Sequence, residues 1–304
     1  MIKLKKGLED TNMSEQKHDY IMERRLRELN PQLHRQFTDS VFALQRMLSN
    51  FLILFPTFTD HSELHSMSVI ELCNELIGEE QILKMSDDEI YVLLMACYLH
   101  DVGMGVMKKD YEKFKEQLGA DAYFSEHPNA DAADFVRDFH HEFSGLVIEK
   151  YAELFELPSE AHLFAIKQVA RGHRKTDLYD EKEYPSNLKM PSGSSVNLPY
   201  LAALIRLADE IDVVALRNPK MLYDMESLTR EIDILEFSKH NAISALDITD
   251  EAFTMIVSTD KEELYSSIVK LRDKMQKTLD YCRDVTKKRS TYTISQEHIL
   301  IDRQ

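Results

Sequence analysis

Ala96-Cys97-Tyr98-Leu99-His100-Asp101-Val102-Gly103-Met104-Gly105 is the stretch that decides how the rest of the chain is read. From Ile90 to Leu99 no residue is charged, and helix-forming residues dominate. Such a segment predicts a buried helix rather than an amphipathic surface helix. It ends abruptly in an imidazole and a carboxylate, after which Gly103 and Gly105 let the backbone turn away. Two polar side chains at the end of an apolar helix cost desolvation unless something binds them. A divalent cation would offset that cost.

On the N-terminal side, Ser86-Asp87-Asp88-Glu89 is a capping signature for this helix. Before it, Val69, Ile70, Leu72, Cys73, Leu76 and Ile77 form the stripe of another helix, closed by Gly78. His61 and His65 stand four apart near its start. His65 is the better metal candidate and His61 a cap or an outer partner. On the C-terminal side, residues 106–135 predict a charged insertion with short helices. Phe139-His140-His141-Glu142-Phe143-Ser144-Gly145 then opens a helix running to Leu154. Ser159 starts the next one, which ends in Arg171-Gly172-His173-Arg174-Lys175. Residues 176–198 hold Pro185, Pro191, Gly193 and several serines, the composition of a long loop that serves as a lid, a partner surface or neither. Leu198-Pro199 opens a helix whose apolar stripe is interrupted by Asp209 and Asp212; a buried acid pairs or binds a metal.

The flanks differ in character. Residues 1–37 form an N-terminal extension with Ile21, Leu26, Leu29 and Leu33 at helical spacing, interrupted at Asn30-Pro31. Thr38 or Asp39 can cap the following helix, which begins a helical domain over 38–218. Residues 219–304 alternate as two strands near 242–248 and 253–258. A long helix from Lys261 to about Lys287 and a final strand from His298 to Ile301 follow. The fold class is mainly α with a small C-terminal α/β appendage. The first and last helices can each pack on the body or join a homo-oligomer.

Net charge narrows the functional classes. At −16 over 304 residues, a broad nucleic-acid surface is excluded, although a local basic pocket is not. Cys73, Cys97 and Cys282 are widely spaced, as reduced core thiols of a cytoplasmic protein would be. No uncharged run reaches membrane-spanning length.

His65, the His100-Asp101 doublet, His141, His173 and Asp209 each sit at an end or on the buried side of a separate helix. Nitrogen and carboxylate donors without thiolates suit Mn, Fe, Co, Ni, Zn or Mg. The order His, His-Asp, Asp in His65-Ser66-Met67-Ser68-Val69, Leu99-His100-Asp101-Val102-Gly103 and Leu207-Ala208-Asp209-Glu210-Ile211-Asp212 resembles the HD superfamily of metal-dependent phosphohydrolases. That resemblance implies an HD-type helical bundle in which His65, His100, Asp101 and Asp209 hold one metal. His141, four before Gly145, and His173 resemble the extra histidines of two-metal members, with Asp101 as the bridge. The implied activity is hydrolysis of a nucleotide or related phosphoester, with His100 and Asp101 in the catalytic centre. Arg171, Arg174 and Lys175 either receive phosphate charge or end a solvated helix, and Arg206 binds substrate or pairs with Asp209. A catalytically silent nucleotide-binding regulator and a di-iron oxygenase are the alternatives within the same superfamily. Phe58-Thr59-Asp60-His61, Arg206-Leu207-Ala208-Asp209 and the strand pair are similar to HD domains found beside Hsp90-like ATPase modules, which would make such a module a partner. No Gly-Tyr-Pro follows His173, which disfavours cyclic-di-GMP as substrate.

Overall fold

The uncharged run lies at the centre of the structure, a computed structural model that describes residues 2–3, 20–48, 63–213, 235, 238–239 and 241–304. Helices α1 (Ile21–Leu29), α2 (Pro31–Leu48), α3 (Glu63–Ile77) and α4 (Glu79–Ile82) precede α5 (Asp87–Leu99). A 3-10 turn (Val102–Gly105), α6 (Lys108–Gln117), α7 (Ala120–Glu126), α8 (Ala132–Lys150), α9 (Glu160–Arg171) and α10 (Leu198–Ile211) follow. Every residue of α5 from Asp88 to Leu99 is buried. A helix without a polar face needs neighbours on all sides, and α1, α2, α3, α9 and α10 supply them. Its start is fixed by a capping box in which Ser86 Oγ accepts from Glu89 N (3.1 Å) and Glu89 Oε2 accepts from Ser86 N (3.1 Å).

The appendage is a four-stranded sheet, in the order β1 (Ile2–Lys3), β4 (Ile243–Ile248), β5 (Ala252–Val257), β6 (His298–Arg303). β5 and β6 run parallel, joined through α11 (Glu262–Arg289). Ile268, Met275, Leu279 and Cys282 recur at helical spacing on the buried side of α11, which packs along α10. The pairing of Ile2 with Ile248 has no counterpart in the sequence reading of the extension.

Three expectations are corrected. No helix starts at Thr38 or Asp39: Asn30 Oδ1 accepts from Leu33 N (3.1 Å), Pro31 occupies the first turn, and α2 runs unbroken across residues 37 and 38. The histidine pair 140–141 lies in mid-helix, because Asp131 and Asp134 form a capping box that starts α8 at Ala132. Residues 176–198 are anchored, with Leu178 and Tyr184 fully buried and a short hairpin of β2 (Leu188–Lys189) and β3 (Ser195–Val196). Ser192 and Ser194 both donate to Asp88, which also lies 2.9 Å from His162 Nε2. Burial alone would raise the Asp88 carboxyl; these bonds hold it down at about 2.

The turn after α5 lies directly on α8. A Cβ on Gly103 would stand 2.3 Å from Ser144 N and 2.4 Å from His140 O. Ser144 Oγ accepts from Gly103 N (2.9 Å) and donates to His100 O (2.5 Å). Gly103→Ala is therefore expected to cost at least about 2 kcal/mol of stability, as overpacking against backbone does, measured by urea unfolding. A loss within experimental error would contradict the close approach.

Candidate metal centre

Five helices deliver the cluster. His65 lies in the first turn of α3, His100 and Asp101 directly follow α5, and His140 is in mid-α8. His173 stands two residues beyond α9, and Asp209 lies in the last turn of α10. His65, His100, His140 and His173 are all buried, as is Asp101. Asp101 lies at the junction. Its Oδ2 is 3.5 Å from His65 Nε2 and 3.3 Å from His100 Nε2, and its Oδ1 is 3.5 Å from both His140 Nε2 and His173 Nε2. Asp209 Oδ1 stands 3.2 Å from His65 Nε2 and 3.8 Å from His100 Nε2.

Hydrogen bonds set the tautomers. Nδ1 of His100, His140 and His173 lies 2.9, 2.6 and 2.6 Å from the carbonyl oxygens of Cys97, Arg137 and Ala170, each three residues back. A carbonyl only accepts, so Nδ1 carries the proton and the Nε2 lone pair is bare. His65 Nδ1 is 2.7 Å from Asp212 Oδ2, and Ser68 Oγ donates to the other Asp212 oxygen (2.8 Å). Yet Nε2 of His65 and His100 are 3.1 Å apart, and Nε2 of His140 and His173 are 2.8 Å apart. Bare lone pairs at such distances repel unless a cation lies among them. In the groups His65–His100–Asp101–Asp209 and Asp101–His140–His173, all donor atoms lie within 4.8 Å of one another. The residues thus fit two adjacent divalent ions sharing Asp101, with outer partners that orient the imidazoles.

Electrostatics point the same way. Burial pushes His140 down to about 3 and His141 to about 4, against which the Asp101 and Glu142 charges act only in part. Burial, with His140 and His100 beside it, lowers His173 well below the ordinary range. Burial would raise Asp209, but the bond to His65 and the neighbouring imidazoles hold it well below the usual carboxylate range. Unprotonated imidazoles and ionised carboxylates are what a metal requires.

Of the residues proposed from the sequence, His65, His100, Asp101, His173 and Asp209 converge. His141 does not join them. One residue along a helix turns the side chain by about 100°, and it is His140 that reaches Asp101, while His141 Nε2 stands 3.7 Å from Glu142. Arg171 is held by Glu142 (Nη2 to Oε1, 2.8 Å; Nε to Oε2, 3.0 Å) and so is no free phosphate binder. Arg206 pairs with neither Asp209 nor any other acid among the described residues; it donates to Gly172 O (2.7 Å) and Thr176 O (2.8 Å), bracketing His173. Lys175 is exposed, 3.6 Å from Asp138, whereas Arg174 is half-buried beside His140 and His141. His61 lies outside the described residues. Asp212 pairs, as expected of a buried acid in an apolar stripe, and its partner is His65; the role of His140 is not singled out by the sequence, although the doubled histidine marks the pair.

A helical body presenting clustered imidazoles around an Asp that follows His is the arrangement of an HD-type domain, with a buried His/Asp group that could hold a metal ion. The chain belongs to the HD-CE family, whose model matches residues 55–291. No curated protein and no solved structure matches it. Among the described residues no single helix is long and apolar enough to cross a membrane, and Cys73, Cys97 and Cys282 are buried free thiols.

Two outcomes follow from this geometry. His140→Ala is expected to weaken metal binding at least about ten-fold, and His141→Ala to leave it unchanged, by elemental analysis after dialysis against buffered metal. The reverse order would overturn the choice between them. Without metal, buried His140 and His141 stay neutral down to about 3 and 4, whereas imidazoles of an unfolded chain protonate near ~6.5. Between those values the unfolded state binds more protons, so stability falls as pH drops below ~6.5, by about 1.4 kcal/mol per pH unit for each such histidine. Urea unfolding of chelator-treated protein at neutral and mildly acidic pH measures it; equal midpoints would contradict the burial.

Proposed function

We propose that the chain is a metal-dependent phosphohydrolase or phosphodiesterase acting on a nucleotide or a related phosphoester. The observation that carries this reading is the carboxylate of Asp101, whose two oxygens face two separate imidazole pairs. His65, His100, Asp101 and Asp209 would hold one ion, and Asp101, His140 and His173 a second. Divalent ions bound there supply Lewis-acid polarisation of a phosphoryl oxygen and a water activated at neutral pH.

The remaining work falls to the chain's own groups. Asp212 keeps the His65 proton on Nδ1 and so keeps Nε2 free to bind. Ser144 locks the turn that orients His100 and Asp101. Arg174 stands beside His140 and His141, and among the described residues no ion pair neutralises it. In this reading its guanidinium takes the charge of the phosphoryl oxygens.

Elemental analysis of the purified protein followed by a panel of nucleotides and phosphoesters, with Mn, Fe, Co, Ni, Zn or Mg, tests the proposal. Phosphate or nucleotide release is expected with at least one of these ions, falling at least about 100-fold in Asp101→Ala. Equal turnover by both proteins would remove catalysis from this centre. Metal binding without turnover across the panel would leave a nucleotide-binding regulator.

A further inference from the structure

A cleft of about 470 Å³ opens between the segment after α9, helix α10 and the long helix α11. Its lining includes Lys175, Arg206, Lys274, Lys277, Thr278 and Tyr281, and none of the residues that converge on Asp101. Four cations share this one cleft in a chain whose net charge is −16. The one acid in the lining, Asp177, has an oxygen taken by Tyr179 N (3.0 Å) and approached by Tyr281 OH (3.3 Å).

The cations are weakly committed. Lys175 pairs with Asp138 (3.6 Å) where both side chains are well exposed and such a pair contributes little, while the exposed Lys274 reaches the half-buried Glu210 (2.9 Å). Among the described residues Lys277 has no ion pair. The Arg206 guanidinium lies 5.1 Å from the Tyr281 ring centre, with its Nε and Nη2 bonded to the segment around His173. A fixed guanidinium flanked by movable amines and threonine hydroxyls matches the oxygens of linked phosphates. The cleft is widely open to solvent, so concentrated positive charge rather than enclosure is what would hold a ligand there.

We propose that this cleft binds a ligand carrying two or three linked phosphates, at a site separate from the metal centre. The inference stands independently of the hydrolase reading, because it needs neither metal nor turnover. Arg206 connects the two places: it is bonded on both sides of His173, so a ligand drawn to it bears on a metal-binding segment.

Calorimetric titration of the full chain, treated with chelator, tests this with inorganic triphosphate and with ATP as probes. Wild type is expected to bind at least one of them. The Lys274→Gln/Lys277→Gln double variant, whose changes lie on the exposed side of α11 and whose melting temperature is measured alongside because Lys274 pairs with Glu210, is expected to bind at least ten-fold more weakly, and the single Lys277→Gln variant, which breaks no ion pair among the described residues, at least three-fold more weakly. Asp101→Ala is expected to bind as wild type does. Tighter binding of ATP identifies the ligand as a nucleotide, and equal or tighter binding of triphosphate identifies it as an inorganic polyphosphate. Absence of binding to wild type, equal binding by the double variant, or loss of binding in Asp101→Ala would each overturn the site.

Discussion

One carboxylate, Asp101, has to serve imidazoles on both of its sides, and the rest of the structure is arranged so that it can. Its two oxygens face four nitrogens that are each fixed by a bond on the far side of the ring, three of them to a carbonyl one turn back. Side chains so constrained cannot rotate to relieve their mutual repulsion. Burial compounds the effect by resisting protonation of His140 and His173. A proton is therefore a poor competitor for this space near neutral pH, and a doubly charged ion a good one.

The appendage contributes to that rigidity. α11 packs along α10, the helix that carries Asp209 and Asp212. Its last residue, Arg289, donates to the carbonyls of Leu178 (2.6 Å) and Tyr184 (2.8 Å), pinning the segment after His173. The family match likewise runs through α11 to residue 291. The long helix is thus part of what holds the clustered His and Asp side chains, even though its own sequence carries none of them.

Much of this was legible from residue types alone, for identifiable reasons. The end of the apolar run at His100 and the caps at Ser86 and Ser159 are local signals, and local geometry followed them. The convergence of His65 with Asp209 could be anticipated because each breaks or begins an apolar stripe. The choice between His140 and His141 was not legible, since it depends on the rotation of α8, which is set at Asp131 nearly three turns earlier. The partners of Arg171 and Arg206 were hidden for another reason: they come from elements distant in sequence or from backbone oxygens, which leave no mark on composition. The Asp88–His162 contact, 74 positions apart, is of the same kind.

The burial of α5 also has a consequence for biosynthesis. The helix is complete at Leu99, but two of the helices that cover it, α9 and α10, end at Arg171 and Ile211. At ordinary ribosomal speeds its bare apolar surface leaves the exit tunnel on the order of ten seconds before its last cover does. During that interval only α1, α2 and α3 are at hand to cover the helix and its remaining side stays oily and bare, so the vulnerable moment in this protein's life falls in translation, before there is any native state to lose.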